Sequence, residues 1–310
     1  MTKREQLETE RRVFDIYSGI LLNNLEFCPG PAVPPDYELD CPEYETLREK
    51  YGLERLAGKG SAFQRAKRLL HHLAPRLTHS SYYDNHVPCD ALSLLEYGYE
   101  RPDQGINCLN KSKILAECCL AVGIYARRVA MIPYSPYDND NHVVAEIYDP
   151  GLAKWIMLDP TTDGWFVDET GSPLSVLEIR ERFARRKFTT FVASTDRKGD
   201  LRRLWDKNMW LNTYICKNLF WLRIERHNGF GYKGEWLNFV PAGYDLRRNQ
   251  IAMLEYRLSI LPDQGMAPEE LQKYQRMFQD SLERLQTAPE DACYDLSVMA
   301  APPAGGGGKR

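Results

Sequence analysis

Apolar residues recur with helical spacing near both ends of the chain. Val13, Tyr17, Ile20, Leu21 and Leu25 predict an amphipathic helix over 5–25. The same spacing predicts further helices at 44–77 (two helices divided by the glycines at 58 and 60), 90–99, 177–188 and 269–285. The proline-rich stretch 28–35 can be neither a helix nor a central strand, so we expect a loop there.

The pattern changes between residues 105 and 163. A helix is predicted from Cys108 to Val122, and Gly123 is suited to its C-terminal cap. Three runs rich in Val, Ile, Tyr and Trp follow at 125–132, 142–148 and 154–159, and they predict strands. Two later runs, 232–240 and 253–261, are also predicted as strands. A helix that leads into a small antiparallel sheet indicates an α+β fold.

Composition places the 310 residues among globular proteins, with 43% hydrophobic and 27% charged content. The patterns divide the chain into an N-terminal helical segment (1–59), an α+β core (60–170), an α+β C-terminal extension packed on that core (171–295) and a flexible tail (296–310). The tail prediction depends on the glycine-rich end of the chain.

Charge and cysteine usage narrow the possible partners and the compartment. The net charge of −3 and the absence of a long basic run argue against a nucleic-acid partner. No apolar run approaches the roughly 20 residues that a membrane span needs, and no export signal is visible, so we expect no membrane partner. Eight scattered cysteines without a CxxC pair are typical of reduced thiols, which predicts a cytoplasmic protein. The six histidines show no metal-site spacing, and we expect no metal and no cofactor.

Three residues in the segment 105–163 have the chemistry of a nucleophile, a base and an acid. If strands 142–148 and 154–159 form a hairpin with Tyr148 opposite Ala153, His142 lies opposite Asp159, close enough for the carboxylate to hold the imidazole. Cys108 begins a predicted helix, where unpaired N–H groups favour a thiolate. Cys108 would then attack a carbonyl carbon, His142 would transfer the proton and Asp159 would fix the imidazole tautomer.

Each of the three residues also has an ordinary structural interpretation. A cysteine between a helix and a sheet is more often a small buried apolar residue, a histidine at a strand end is usually structural, and an aspartate before proline is often a turn residue. Only their combination favours catalysis.

The local contexts of these residues resemble the transglutaminase-like superfamily. The matching pieces, in order, are Gly105-Ile-Asn-Cys108, Ala121-Val-Gly-Ile124-Tyr-Ala-Arg127, Asn141-His142-Val-Val-Ala-Glu146-Ile-Tyr148 and Trp155-Ile-Met-Leu-Asp159-Pro-Thr161. The resemblance covers roughly residues 60–165. The calcium-binding and β-sandwich modules of animal transglutaminases and the CxxC zinc ligands of peptide N-glycanases have no visible counterpart, which argues against both of these identities. The sequence resembles a bacterial-type transglutaminase-like domain protein. Val144 stands where relatives often carry an aromatic residue.

The resemblance implies a papain-like α+β core in which Cys108, His142 and Asp159 are the catalytic triad and Arg127 is structural. It implies a cysteine-dependent amide hydrolase or acyltransferase that forms a thioester with a peptide, protein or glutamine-like amide. Two alternatives remain open. One is an acetyl-type transferase with the same triad, although no coenzyme A motif is visible, and the other is a non-catalytic binding scaffold with the same fold.

Further candidates flank the triad. The backbone N–H of Cys108 is one expected oxyanion donor, and the side-chain amide of Gln104 or Asn107 is a candidate for the second, although both residues are equally explained as turn and cap residues. Asp138 and Asp140 precede His142 and could recognise a cation or metal, but a solvated turn is the more ordinary interpretation.

Overall fold

The computed structural model describes residues 2–194, 201–287 and 292–304. The α-helices of this part are α1 (Lys3–Leu22), α2 (Pro42–Tyr51), α3 (Leu53–Ala57), α4 (Ala62–Leu73), α5 (Ala91–Glu100), α6 (Cys108–Ala121), α7 (Val176–Ala184), α8 (Leu201–Asn218), α9 (Leu246–Ile260), α10 (Pro268–Thr287) and α11 (Ser297–Ala300). The strands are β1 (Asp36–Tyr37), β2 (Ala126–Ile132), β3 (His142–Asp149), β4 (Lys154–Leu158), β5 (Gly164–Val167), β6 (Thr190–Ala193), β7 (Trp221–Glu225), β8 (His227–Asn228) and β9 (Trp236–Phe239).

A five-stranded antiparallel sheet in the order β4-β3-β2-β7-β9 organises the molecule. Helices cover both of its faces. Ala145 and Ile147 point into a core shared with α2 to α6, whereas Val129 and Val144 point into a second core shared with α1, α7 and α8. Burial on both faces explains why the strands are almost continuously apolar. The α+β fold with a helix packed on an antiparallel sheet is confirmed.

The sheet joins two parts of the chain that the sequence assigned to different units. Strands β2, β3 and β4 come from residues 60–170, and β7 and β9 come from residues 171–295. Strand β7 pairs with β2 from Val129↔Ile224 to Ile132↔Trp221. The C-terminal extension therefore continues the central sheet in addition to packing on it.

A buried ion pair fixes the middle of the sheet. Arg127 donates from Nε and Nη2 to the same oxygen of Glu146, at 3.0 and 2.6 Å, and both side chains are 1% exposed. The guanidinium also lies 3.9 Å from the ring centre of Trp155. These contacts give Arg127 a structural role, as the resemblance implies.

Two predictions of secondary structure are wrong. Residues 253–261, predicted as a strand, lie in α9, for which Asp245 is the N-cap, and in the short 3₁₀ turn that follows. Leu246 and Leu254, eight residues apart, are its buried positions, so helical spacing governs this segment. The helix predicted before Gly58 is divided into α2 and α3, because Gly52 adopts a left-handed conformation at φ 63°.

The chain beyond residue 296 differs from the predicted flexible tail over its described part. Helix α11 buries Val298 and Met299 in the second core, and the Met299 carbonyl accepts a hydrogen bond of 2.6 Å from Arg127. The physical reason is that two apolar side chains precede the glycine run and fill a gap beside Trp155, whose Nε1 donates to the Ala301 carbonyl. Residues 305–310 of the predicted tail lie outside the described residues.

Truncating Met299 to alanine is expected to lower the free energy of unfolding by about 2 kcal/mol or more, because a buried side chain is replaced by a cavity. The matched control is Met277→Ala, since Met277 is 44% exposed and its loss should cost less than about 0.5 kcal/mol. Urea denaturation of the three chains measures both values. Equal stability of the two variants would contradict the packing of the C-terminal segment.

The described helices include none that combines the length and the apolar character needed to cross a bilayer.

Candidate active site

Cys108 is the first residue of α6, and the chain before it is held by backbone pairing. The Ile106 N–H donates to the Thr78 carbonyl, and the Ser80 N–H donates to the Ile106 carbonyl, both at 3.0 Å. The Asn107 side chain caps the helix by accepting from the Asn110 N–H. Cys108 is partly exposed, whereas most of the helix after it is buried. The local structure therefore fixes the thiol at a helix N-terminus that solvent can reach.

His142 and Asp159 meet across the neighbouring strands, although the predicted register is wrong. The observed pairs, such as Ala145↔Leu158 and Tyr148↔Trp155, shift β4 by two residues relative to the predicted hairpin. A shift of two residues keeps every side chain on its predicted face, so Asp159 becomes a diagonal neighbour of His142. His142 Nε2 lies 2.9 Å from Asp159 Oδ2, and the two side chains are 2% and 0% exposed.

Asp159 is held by three further hydrogen bonds. Its Oδ1 accepts from the backbone N–H groups of Thr161 at 2.8 Å and Thr162 at 3.3 Å, and its Oδ2 accepts from the Thr162 hydroxyl at 2.7 Å. Backbone hydrogen bonds with Gly164 fix the same residue. The carboxylate is thus oriented toward the imidazole before any substrate binds, and Thr162 is a positioning residue that the sequence did not single out.

Cys108 is among the groups that raise the pKa of His142, so its side chain lies close to the imidazole. Because Nε2 of His142 contacts Asp159, Nδ1 is the ring nitrogen left for the sulfur. The three residues that the sequence predicted as a triad are therefore brought together in the order thiol, imidazole, carboxylate.

The surroundings of His142 and Asp159 favour the charged form of both side chains. Burial disfavours the charged imidazole, but the Asp159 carboxylate and the hydrogen bonds to Asp159 and Cys108 outweigh it and raise the pKa of His142 to about 10. Burial also opposes ionisation of Asp159, yet the charge of His142 and the donors from Thr162 and Thr161 leave its pKa lowered. Imidazolium and carboxylate coexist at neutral pH.

We expect the His142 ring to remain protonated at pH 8 and to titrate near pH 10. Its unfolded pKa is about 6.5, so the stability that its charge contributes is fully present below pH 6.5 and is lost as the pH rises through about 10. In Asp159→Asn the attractive charge is gone while burial remains, so the titration should fall below pH 7. Nitrogen-15 spectra of the imidazole, recorded for both chains across pH, measure this; a wild-type midpoint near 6.5 would contradict it.

Helix α8 supplies a wall of the site that the sequence did not predict. The Tyr214 ring lies 5.3 Å from the His142 ring in an edge-to-face arrangement, and Trp210 stacks flat on Tyr214 at 5.2 Å. Trp210 is 47% exposed. The aromatic content of 204–220 was visible in the sequence, but its position beside His142 depends on how the extension folds back.

The two acidic residues in the loop before His142 form ion pairs with Lys217 of α8. Lys217 Nζ lies 2.9 Å from Asp138 and 3.0 Å from Asp140, and Asp140 also accepts from the Tyr214 hydroxyl at 3.2 Å. Within the described part of the chain, no group of three or more His, Cys, Asp or Glu residues is arranged to hold a metal. These contacts tie the loop to α8 and place Tyr214 against the imidazole.

The two candidates for a second oxyanion donor make contacts of their own. Gln104 Nε2 donates to the neighbouring Asp103 at 3.1 Å. Asn107 uses its oxygen for the helix cap and donates from Nδ2 to Asn85 at 3.0 Å. The structure favours the turn and cap interpretations for both residues. The N–H of Cys108 lies in the first helical turn, where no intrahelical acceptor exists.

Comparison with known proteins agrees with the pattern in the sequence. The family model described as transglutaminase-like superfamily matches residues 51–160, which contain Cys108, His142 and Asp159. No curated protein and no solved structure matches the chain. Residues 51–160 of this chain therefore form a domain of the transglutaminase-like superfamily.

Proposed function

We propose that the protein is a cysteine-dependent amide hydrolase or acyltransferase that works through a thioester on Cys108. The observation that carries this proposal is the position of one buried imidazole, which lies 2.9 Å from the Asp159 carboxylate and close enough to Cys108 for that side chain to raise its pKa. The superfamily supports cysteine-dependent chemistry in general.

The proposed reaction has two steps. In the first, the Cys108 thiolate attacks the amide carbonyl carbon, a carbon–sulfur bond forms, and the carbon–nitrogen bond breaks as the His142 imidazolium gives its proton to the leaving amine. In the second, water or an amine attacks the thioester, His142 takes the proton of the attacking group, and the thiolate leaves. Asp159 keeps Nδ1 directed at the sulfur and stabilises the imidazolium throughout.

The helix terminus adds stabilisation at the carbonyl oxygen. Negative charge develops on that oxygen during both steps, and the N–H groups of the first turn of α6 lie beside the sulfur. Hydrolysis needs only water, whereas transfer needs an acceptor amine. Tyr214 and Trp210 are the side chains of the extension that we expect to contact either group, since Tyr214 lies against His142 and the exposed Trp210 stacks on Tyr214.

A trapped acyl-enzyme tests the proposal. The protein is mixed with a peptide thioester and with a glutaminyl peptide, quenched in acid and analysed by peptide mass spectrometry. The expected result is an acyl group on the peptide that contains Cys108, removed when hydroxylamine is added before the quench. Acylation of several cysteines at the rate of free thiols would contradict the proposal and would favour the binding scaffold.

A further inference from the structure

Lys111 lies one helical turn after Cys108, and its side chain is buried without a close partner in the part of the chain that the structure describes. It is 3% exposed. Among the described residues, no oxygen accepts a hydrogen bond from its ammonium, and no carboxylate lies within 4.0 Å of it. Buried lysines are almost always paired. The Lys111 ammonium nitrogen is not among the fully buried atoms that lack a hydrogen-bond partner, so it keeps a path to solvent or to a ligand although the side chain around it is buried.

Lys113, two residues later on the same helix, shows the ordinary arrangement. It is 1% exposed, donates to the carbonyls of Gly229 at 3.0 Å and Gly231 at 2.6 Å, and lies 3.0 Å from Glu117. The fold is therefore able to satisfy a buried lysine on α6. The unsatisfied position is the one nearest to the thiol, three residues along the helix, where side chains are neighbours.

The surroundings of Lys111 belong to the candidate active site. Burial lowers the pKa of Lys111, and the charges of Asp159 and Asp163 act against this effect. Asp159 already accepts four hydrogen bonds from other groups. The charges of Lys111 and His142 both contribute to lowering the pKa of His79, after burial. An unpaired positive group beside the triad is placed to receive an anion from outside the chain.

We propose that Lys111 binds a carboxylate of the substrate, located about one residue away from the amide that Cys108 attacks. The inference rests on the proposed function and adds a substrate class to it. Three residues along a helix correspond to a rise of about 4.5 Å, which is nearer to the length of one extended residue, roughly 3.5 Å, than to that of two. The carboxylate is either an acidic side chain or the C-terminal carboxylate of a peptide, and both offer the same charge-assisted hydrogen bond.

Two alkylating reagents test this without knowledge of the natural substrate. Iodoacetyl-glycine carries a carboxylate one residue from its reactive carbon, and iodoacetyl-glycinamide is its neutral equivalent. We expect the carboxylate reagent to alkylate Cys108 about tenfold faster than the amide, as one charge-assisted hydrogen bond would give. Iodoacetyl-glutamic acid α-amide, which has only a side-chain carboxylate, distinguishes the two sources: the preferred source is the one whose reagent reacts faster.

Substitutions assign the preference to one residue. Lys111→Met removes the charge at similar volume and is expected to abolish the preference, and Lys111→Arg is expected to keep part of it. Lys207→Met is the matched control, because Lys207 is exposed near the site and donates to the Thr162 carbonyl at 3.3 Å. Lys207→Met should keep the preference for the carboxylate reagent, because we attribute that preference to Lys111 and not to positive charge near the site in general. The comparison of reagents in the wild-type chain needs no variant to fold.

The outcomes separate this inference from the proposed function. Equal rates with both reagents, at a Cys108 that still reacts faster than the other cysteines, would overturn the carboxylate site and leave the triad intact. Loss of the preference in Lys207→Met as well as in Lys111→Met would also overturn it. A Cys108 that reacts with neither reagent faster than an ordinary thiol would remove the proposed function itself, and the inference with it.

Discussion

Replacing Cys108 by alanine is expected to reduce turnover of a peptide amide or thioester by a factor on the order of 10⁶. The variant retains the helix cap, the imidazole–carboxylate pair and the packed core, but it has no atom that can form the thioester. Initial rates measured per folded molecule, with circular dichroism to establish folding, provide the comparison.

The chain offers a matched control on the same helix. Cys119 is buried with 0% exposure, and burial raises its pKa to about 12. Cys119→Ala should lower stability through a small cavity and leave turnover unchanged. If Cys108→Ala retained more than a hundredth of the wild-type rate, covalent catalysis at this residue would be excluded.

Replacing Asp159 by asparagine is expected to have the second-largest effect, a decrease in turnover on the order of 10⁴-fold. The side chain keeps its size and can still accept from Thr161 and Thr162. It loses the charge that stabilises the imidazolium, and its amide group can hold His142 in the wrong tautomer. The decrease should appear in the turnover number more than in the Michaelis constant, because Asp159 lies behind His142.

Asp149→Asn is the control for this change. Asp149 is also buried, at 1% exposure, but it lies at the end of β3 away from His142 and accepts from the backbone N–H groups of Phe63 and Gly151. We expect lower stability and normal turnover per folded molecule. A similar loss of turnover in both variants would mean that the effect of Asp159 is on folding alone.

The candidate triad was predictable because it depends on features that tolerate small errors. The faces of β3 and β4 follow from the side-chain alternation, so an error of two residues in register still placed Asp159 beside His142. An error of one residue would have separated them. Cys108 was predictable because the helix start is marked by a capping residue, Asn107, immediately before it.

Features that depend on distant segments could not be predicted in the same way. Tyr214 reaches His142 because β7 pairs with β2 and α8 packs on the opposite face of the sheet from α6, and neither pairing has a local signal. The apolar and aromatic residues of 253–261 predict a strand when only local composition is considered, but the segment lies in α9 and the turn after it. The burial of Met299 depends on its packing beside Arg127 in β2 and Trp155 in β4, two strands that lie far from it in the sequence.

The central claim is that His142 and Cys108 act as one unit, and alkylation by iodoacetamide tests it most directly. Each of the eight cysteines is followed by mass spectrometry from pH 5 to 10 in the wild type and in His142→Ala. Cys118 and Cys216 serve as internal references, since burial raises the pKa of both thiols.

The account predicts that Cys108 reacts fastest at pH 6, well below the ordinary thiol pKa of about 8.5, and that this advantage disappears in His142→Ala. A Cys108 that reacts no faster than the other accessible cysteines, or one that keeps its rate without His142, would contradict it.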